Sequence, residues 1–178
     1  MISIPWFSPA YKAGGPIQSV MNLVRNYAHP QYFIIAGTED ADGSLLEKCG
    51  FDSWTNFNDH TQVNYTATPG STLAEAVKKF DPKLFFIIGL FDWSFNIKPL
   101  LFTKIPVKIL SVRGMLHPGA LSQKPFKKRL FLFLMKMSGI HKRIFFHATD
   151  DAEKKYITDI FGKTSKVIVA QNFPNLLS

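Results

Sequence analysis

The stretch LFFIIGL, Leu84–Leu90, decides the fold of this chain. It is apolar from end to end and lacks the polar alternation of a strand that has one face in water. A short run of this kind is typical of a strand covered on both faces, as in a parallel sheet. Val107–Val112 predicts a second buried strand.

Strands and helices are predicted to alternate on both sides of this run. Further strands are expected at Ile2–Phe7, Tyr32–Ala36, Gln62–Ala67, Ile144–His147 and Lys166–Ala170. Helices are expected from Pro16, around Leu73–Phe80, over Ser94–Thr103, over Pro125–Met137 and after Asp150, while Leu45–Asn58 is left unassigned. The alternation predicts an α/β fold, a Rossmann-like doubly wound parallel sheet, and 178 residues suit a single domain.

Two helix starts have capping signals. Ser71 or Thr72 is expected to cap the second helix, with Glu75 three residues after Thr72. Asp150 is expected to cap the last helix, with Glu153 closing a capping box.

Charge is distributed unevenly along the chain. Residues 1–97 hold 6 basic and 9 acidic residues, whereas residues 98–178 hold 15 basic and 4 acidic ones. Between Lys98 and Ala148 there are eleven Lys or Arg and no Asp or Glu. A localised excess of this kind predicts an anionic partner: nucleic acid, anionic lipid or a phosphorylated substrate.

The remaining composition bears on the compartment. A single cysteine, Cys49, excludes an internal disulfide framework and favours a reducing compartment. The apolar start MISIPWF is too short for a secretory signal, and no run reaches the roughly 18 apolar residues of a spanning helix. We expect a cytoplasmic protein, with a peripheral position at the inner face of the membrane left open.

Candidate binding residues follow the predicted strands. In doubly wound sheets, ligands bind at the carboxyl ends of the strands. Gly14 with Gly15, Asp92 with Trp93, and the loop 113–117 all fall at such ends and are predicted to converge on one cleft. Gly14 and Gly15 precede a helix whose free N–H groups could hold a phosphate, or they form a plain tight turn.

Arg113 and His117 are the candidate catalytic residues. Arg113 leaves a buried strand beside Gly114 and Met115, where a guanidinium can bind phosphate through two hydrogen bonds. The alternative is an arginine paired with Asp92 or with a helix terminus. His117 could exchange a proton or donate to a sugar hydroxyl, or it could be a structural loop histidine.

The helix over Pro125–Met137 has an unusual basic start. Lys127, Lys128 and Arg129 lie in its first turn, with Lys124 just before it, where the helix dipole is already positive. The residues Leu130–Met135 are all apolar. Such a segment favours a membrane surface or an anionic head group, and the alternative is a buried helix with a solvated basic end.

No metal or organic cofactor is predicted. Asp40-x-Asp42-Gly43 lacks the remaining ligands of a calcium loop, and histidine and cysteine are scattered without ligand spacing. The dinucleotide fingerprint G-x-G-x-x-G and the nucleophile motif G-x-S-x-G are both missing from the sequence.

Four stretches carry a resemblance to a known family. They are SPAYKAGGPIQSVMNL (Ser8–Leu23), LFFIIGLFDW (Leu84–Trp93), SVRGMLHPGALSQKPFKKRL (Ser111–Leu130) and FHATDDAE (Phe146–Glu153). In their order and spacing the chain resembles the N-terminal domain of a GT-B glycosyltransferase of the family-four type. The likeness spans residues 1–178, and NFPN (Asn172–Asn175) looks like the inter-domain junction.

The resemblance implies a retaining sugar transfer from a nucleotide-sugar donor to a polysaccharide or lipid-linked acceptor, without an obligatory metal. It implies that this half of a GT-B fold holds the acceptor, that Gly14 and Gly15 approach the donor diphosphate, and that Arg113 or His117 lies near the transferred sugar. A C-terminal donor domain is not represented in the sequence, so we expect the chain to be inactive alone.

Two other classes of protein are alternatives. A non-enzymatic module could bind anionic lipid or nucleic acid through residues 98–148, although no aromatic-rich nucleic-acid motif is present and no specific nucleic-acid partner is expected. A nucleotide-dependent oxidoreductase is disfavoured because the glycine fingerprint is missing.

Overall fold

A computed structural model describes residues 1–28, 30–47 and 49–172. In these ranges eight strands form one sheet in the order β3-β4-β2-β1-β5-β6-β7-β8. The strands are β1 (Ile2–Ile4), β2 (Tyr32–Ala36), β3 (Trp54–Asn58), β4 (Thr61–Tyr65), β5 (Leu84–Ile88), β6 (Val107–Ser111), β7 (Phe145–Ala148) and β8 (Lys166–Val169). Neighbouring strands are parallel except for the antiparallel pair β3 and β4, which confirms the predicted fold class.

Helices connect the parallel strands. They are α1 (Gly15–Asn26), α2 (Pro69–Phe80), α3 (Lys98–Phe102), α4 (Pro118–Leu121), α5 (Pro125–Met137) and α6 (Asp151–Phe161), with a π-helical turn at Trp93–Ile97 before α3 and a 3-10 turn at Ile140–Lys142. From β1 the chain builds outward to β2 and β4, then returns to add β5 on the other side. The reversal between β1 and β5 is where doubly wound sheets form ligand crevices.

Two apolar clusters cover the two faces of the sheet. Along β5, Phe85 and Ile87 belong to one cluster and Ile88 to the other, because successive strand side chains point to opposite faces. The helix α1 packs on one face through Ile17 and neighbours, and the other face holds buried residues of α2, α3, α5 and α6, among them Leu132. Apart from Leu84, which is 43% exposed, the LFFII strand is therefore covered on both faces, as predicted.

Some boundaries differ from the prediction. The unassigned stretch Leu45–Asn58 contains β3, an edge strand whose only ladder partner among the described residues is β4. The helix α2 begins at Pro69, and Thr68 occupies the cap position without a side-chain hydrogen bond, so the predicted cap at Ser71 or Thr72 is wrong. Proline at the first helical position starts the helix earlier, since its missing N–H needs no partner there.

The capping box of α6 is half correct. The carboxylate of Asp150 accepts the Glu153 N–H at 2.7 Å, as predicted. The carboxylate of Glu153 does not turn back to Asp150; it accepts hydrogen bonds from the N–H groups of Gly114 and Thr149 instead. The N–H groups that follow β6 and β7 thus take the place of the Asp150 N–H that a complete capping box would use.

Of the predicted inter-domain junction Asn172–Asn175, only Asn172 is among the described residues. In the described ranges, none of the helices has the length and apolar character needed to traverse a bilayer.

Candidate functional site

A polar cleft lies at the carboxyl ends of β1, β2, β4 and β5. It has a volume of about 470 Å³. Its polar and aromatic lining comprises Trp6 after β1, Thr38, Glu39 and Asp40 after β2, Thr66 after β4, and Asp92 and Phe95 after β5. Among the described residues that line it there are three carboxylates and neither Lys nor Arg. We call this cavity the polar cleft.

Gly37 brings the ends of β1 and β2 together at the floor of the polar cleft. Its N–H donates to the carbonyl oxygen of Pro5 at 3.0 Å. A Cβ at this position would lie 2.5 Å from that same oxygen, so a side chain could enter only if the backbone moved. The absence of a side chain therefore sets the spacing of the two strand ends.

Asp92 is held rigidly at the edge of the cleft. Its carboxylate accepts the N–H of Phe95 at 2.7 Å and so caps the π-helical turn. The amide of Asn96 accepts from the Asp92 N–H at 3.2 Å and donates to the Ile88 carbonyl at 2.8 Å. From β1, Ser3 Oγ donates to the Phe95 carbonyl at 2.6 Å. The turn is thus fixed to both central strands.

Asp40 joins the cleft to the loop before α1. Its carboxylate accepts the N–H groups of Tyr11 at 3.0 Å, Lys12 at 3.1 Å and Ala41 at 2.7 Å. Burial by itself would raise the pKa of Asp40, but these backbone donors outweigh it and the pKa is lowered. The sequence pattern suggests Asp40 only as part of an incomplete calcium loop, but its position four residues after β2, at the carboxyl end of a strand, is the signal for a site at the sheet edge.

The glycine loop lies where the sequence predicts it, at the amino end of α1. Gly14 occupies the cap position with φ 67°, and no side chain caps the helix there. Apart from the adjoining residues and the helix's own backbone, no described atom lies within 4 Å of the positions a Cβ would take on Gly14 or Gly15. The space beside these two glycines is therefore open.

Arg113 does not line the polar cleft. Its guanidinium donates to Ser19 Oγ of α1 at 3.1 Å and to Asn172 Oδ1, and it lines a separate cavity of about 190 Å³ together with His147. The predicted convergence of Arg113 and Asp92 on one cleft is therefore wrong, because the Arg113 guanidinium binds Ser19 of α1 and Asn172 after β8 instead. Burial lowers the pKa of Arg113, opposed by the charge of Glu153.

Glu153 is the residue near this loop whose role the sequence did not reveal. It is only 4% exposed, and it joins the loop after β6 to the end of β7 through Gly114 and Thr149. Arg113 and Gly114 both have positive φ, 50° and 70°. The buried carboxylate fixes this unusual backbone and partly compensates the arginine charge.

His117 and Met115 have local partners. His117 is exposed; its Nδ1 accepts the Gly119 N–H at 3.0 Å and its ring packs edge-on against Tyr156. In the neutral ring, the hydrogen is therefore on Nε2. The sulfur of Met115 accepts the Leu90 N–H at 3.3 Å, which ties the loop to the end of β5.

The predicted basic residues differ in environment. Lys128 donates to the Ala120 carbonyl at 2.6 Å and lies over the Phe91 ring, so it holds α4 against α5. Lys124 is the exposed cap residue of α5 with φ 51°, and Lys127 is exposed. Trp93, at the start of the π-helical turn, is exposed too.

Across residues 1–28, 30–47 and 49–172, no three His, Cys, Asp or Glu side chains cluster so that they could hold a metal ion. Comparisons with protein-family models, with curated proteins and with solved structures found no match.

Proposed function

We propose that this chain is the acceptor-binding half of a retaining glycosyltransferase, a hexosyltransferase-like enzyme that moves a sugar from a nucleotide-sugar to a polysaccharide or lipid-linked acceptor. The observation that carries the proposal is the chemistry of the polar cleft. It combines three carboxylates, two threonines and an indole at the strand ends where doubly wound folds bind ligands.

This lining suits a neutral sugar. Sugar hydroxyls can donate to Glu39 and to the second oxygen of Asp92, whose Oδ1 caps the π-helical turn. The indole of Trp6 offers an apolar surface to the ring carbons. The same carboxylates repel a diphosphate. The polar cleft therefore fits an acceptor sugar better than the phosphates of the donor.

The donor would approach from the glycine loop. The amino end of α1 carries the positive end of the helix dipole, and its backbone is open at Gly14 and Gly15. Asp40 connects this loop to the polar cleft through Tyr11 and Lys12, so donor and acceptor would meet at adjoining surfaces. A second α/β domain would hold the nucleotide, and no metal is required.

The catalytic assignments follow as part of the proposal. The Nε2–H of exposed His117 is suited to donate to a sugar hydroxyl or a phosphate oxygen. Arg113 lines the separate small cavity beside α1, so its part in the proposal is to hold Ser19 and Asn172 there rather than to contact the acceptor sugar. The proposed location is cytoplasmic, peripheral at the inner face of the membrane.

Sugar binding tests the proposal directly. The purified chain is screened against an immobilised panel of mono- and oligosaccharides, together with Asp92→Asn and, as a matched control, the exposed Asp81→Asn. Because a hydrogen bond to a charged group contributes about 1.5–3 kcal/mol, Asp92→Asn should weaken binding by roughly tenfold or more while Asp81→Asn leaves it unchanged. The proposal is contradicted if none of the sugars binds, or if Asp92→Asn and Asp81→Asn bind sugar equally well.

Turnover tests the half-enzyme aspect. The chain alone should transfer no sugar from a panel of nucleotide-sugars, because the donor domain is required. Reading the genomic DNA downstream of Ser178 for a second α/β domain identifies the partner to add. Robust transfer by the purified chain alone would show that the acceptor-half assignment is mistaken.

A further inference from the structure

The helix α5 carries an apolar stripe on its outer surface. Large side chains at i, i+4, i+7, i+8 and i+11 are exposed to solvent, a spacing that puts them on one helix face. They are Phe126, Leu130, Phe133, Leu134 and Met137, and exposure reaches 78% at Phe126 and 70% at Met137. We call this set the outer face of α5.

The outer face of α5 is not required for the core. The opposite side of the helix packs on the sheet through Leu132 and Met135, which are buried, with Phe131 against Phe91. The helix therefore has two apolar sides, and only one of them is covered by the domain. Contiguous exposed apolar surface on a folded protein marks a docking site.

Basic side chains flank the outer face. At 3.6 residues per turn, Lys127 lies on one border of the stripe and Arg129 and Lys136 on the other, and all three are exposed. None of the acidic residues of the chain falls between Lys98 and Ala148. An apolar stripe with cationic borders is the pattern of a helix lying in a lipid–water interface.

Charge complementarity selects the occupant. In a two-fold dimer the same patch meets itself, so the cationic borders would face each other without a carboxylate between them. Nucleic acid would match the cations but leave the five large apolar side chains without a partner. An anionic bilayer satisfies both, since the head groups meet the lysines and arginine while the acyl region takes the apolar side chains.

We propose that the outer face of α5 docks this domain on an anionic lipid bilayer, with Phe126, Phe133 and Met137 inserted and the flanking basic residues on the head groups. The inference rests on the peripheral position proposed above, but not on sugar transfer. It names the element that makes the contact and the charge of the lipid.

Vesicle binding tests the proposal. The full chain is sedimented with phosphatidylcholine vesicles containing roughly one third phosphatidylglycerol, and with phosphatidylcholine alone. The wild type should sediment with the anionic vesicles much more than with the neutral ones. Leu130→Ser with Leu134→Ser should abolish this, whereas Leu45→Ser, at a 62% exposed leucine in the segment between β2 and β3, should not.

A charge variant separates the two components. Lys127→Gln, Arg129→Gln and Lys136→Gln together should weaken anionic binding by about a hundredfold, at about fivefold for each basic side chain. The control with the same net charge is Lys78→Gln, Lys142→Gln and Lys163→Gln, all exposed and outside α5, and it should bind like the wild type.

The proposal is wrong if the wild type shows no preference for anionic vesicles, or if the test and control variants bind equally. It is also wrong if light scattering shows a dimer that the leucine variant dissociates while its vesicle binding persists, since the face would then contact a second copy. Circular dichroism verifies that each variant is folded. Because no step requires turnover, vesicle binding by a chain that binds no sugar would support this inference and contradict only the sugar site.

Discussion

The polar cleft and the outer face of α5 are opposite in chemistry although one sheet supports both. The cleft is concave, is built from loops after β1, β2, β4 and β5, and is lined by carboxylates. The outer face belongs to the crossover between β6 and β7, and it is exposed, apolar and bordered by cations. The charge asymmetry between the two halves of the sequence thus corresponds to two surfaces of opposite charge.

The largest expected effect tests whether only the side of α5 that packs on the sheet stabilises the fold. Leu132→Ala, at a 6% exposed residue, should lower the free energy of unfolding by about 2–5 kcal/mol, because it leaves a cavity. Leu134→Ala, at a 55% exposed residue two positions on, should change it by about 0.5 kcal/mol or less. Urea unfolding of the two variants measures both. Similar losses would mean that the outer face contributes to the fold, and the comparison would fail.

The next effect concerns the loop after β6, which is bound by Glu153. Glu153→Ala should cost about 2–3 kcal/mol, because it leaves the N–H groups of Gly114 and Thr149 unpaired near the Arg113 charge. Asp151→Ala, an exposed acid in the first turn of the same helix, should cost under about 1 kcal/mol. Thermal unfolding distinguishes the two variants. An equal loss of stability would show that the hydrogen bonds of Glu153 to Gly114 and Thr149 do not stabilise the domain.

A pH effect on stability is expected at His147, which lies in β7 and lines the small cavity beside α1. Its Nδ1 pairs with Ser111 Oγ at 2.8 Å and its Nε2 with the Ala170 carbonyl at 3.0 Å, and burial together with Arg113 lowers its pKa. Because the folded pKa lies below that of the unfolded chain, the unfolded state takes up the proton first as the pH falls. Stability should therefore decline below about pH 6.5 until the folded pKa is passed.

The variant His147→Gln isolates this contribution. The difference in melting temperature between wild type and variant should shrink as the pH falls through that window. A difference that stays constant with pH would show that the histidine does not titrate differently on folding.

The smallest effect refines the description of the start of α5. Lys124 holds φ 51°, a conformation that favours glycine, so Lys124→Gly should stabilise the domain by up to about 1 kcal/mol. Lys127→Gly, inside the helix, should destabilise it by about the same amount. Chemical unfolding of both variants gives the sign. Destabilisation by Lys124→Gly would mean that its side chain is required.

The sequence predicted the elements whose signals are local. Tyr32–Ala36 and Pro125–Met137 have the predicted bounds, since apolar runs and a helix-starting proline specify them. Trp54–Asn58 was not assigned because its strand pairing with β4 depends on a tertiary contact and its polar edge position hides the alternation. Local pattern thus determined most of the sheet but not its antiparallel edge.

The candidate site was predictable only in outline. Asp92 could be placed at a strand end, but the grouping of Trp6, Thr38, Asp40 and Thr66 around it follows from sheet order, which brings β1, β2 and β4 together. The direction of the Arg113 side chain was not predictable, because Ser19 and Asn172 reach it from distant parts of the chain.

The most direct measurement of the central claim is an amide NMR titration of the isotope-labelled chain with the sugar that the panel identifies. The account predicts shift changes at Trp6, Thr38 and Asp92, and none along Phe126–Met137. Changes confined to α5, or no change at the polar cleft at saturating sugar, would contradict the assignment of the cleft as the acceptor site.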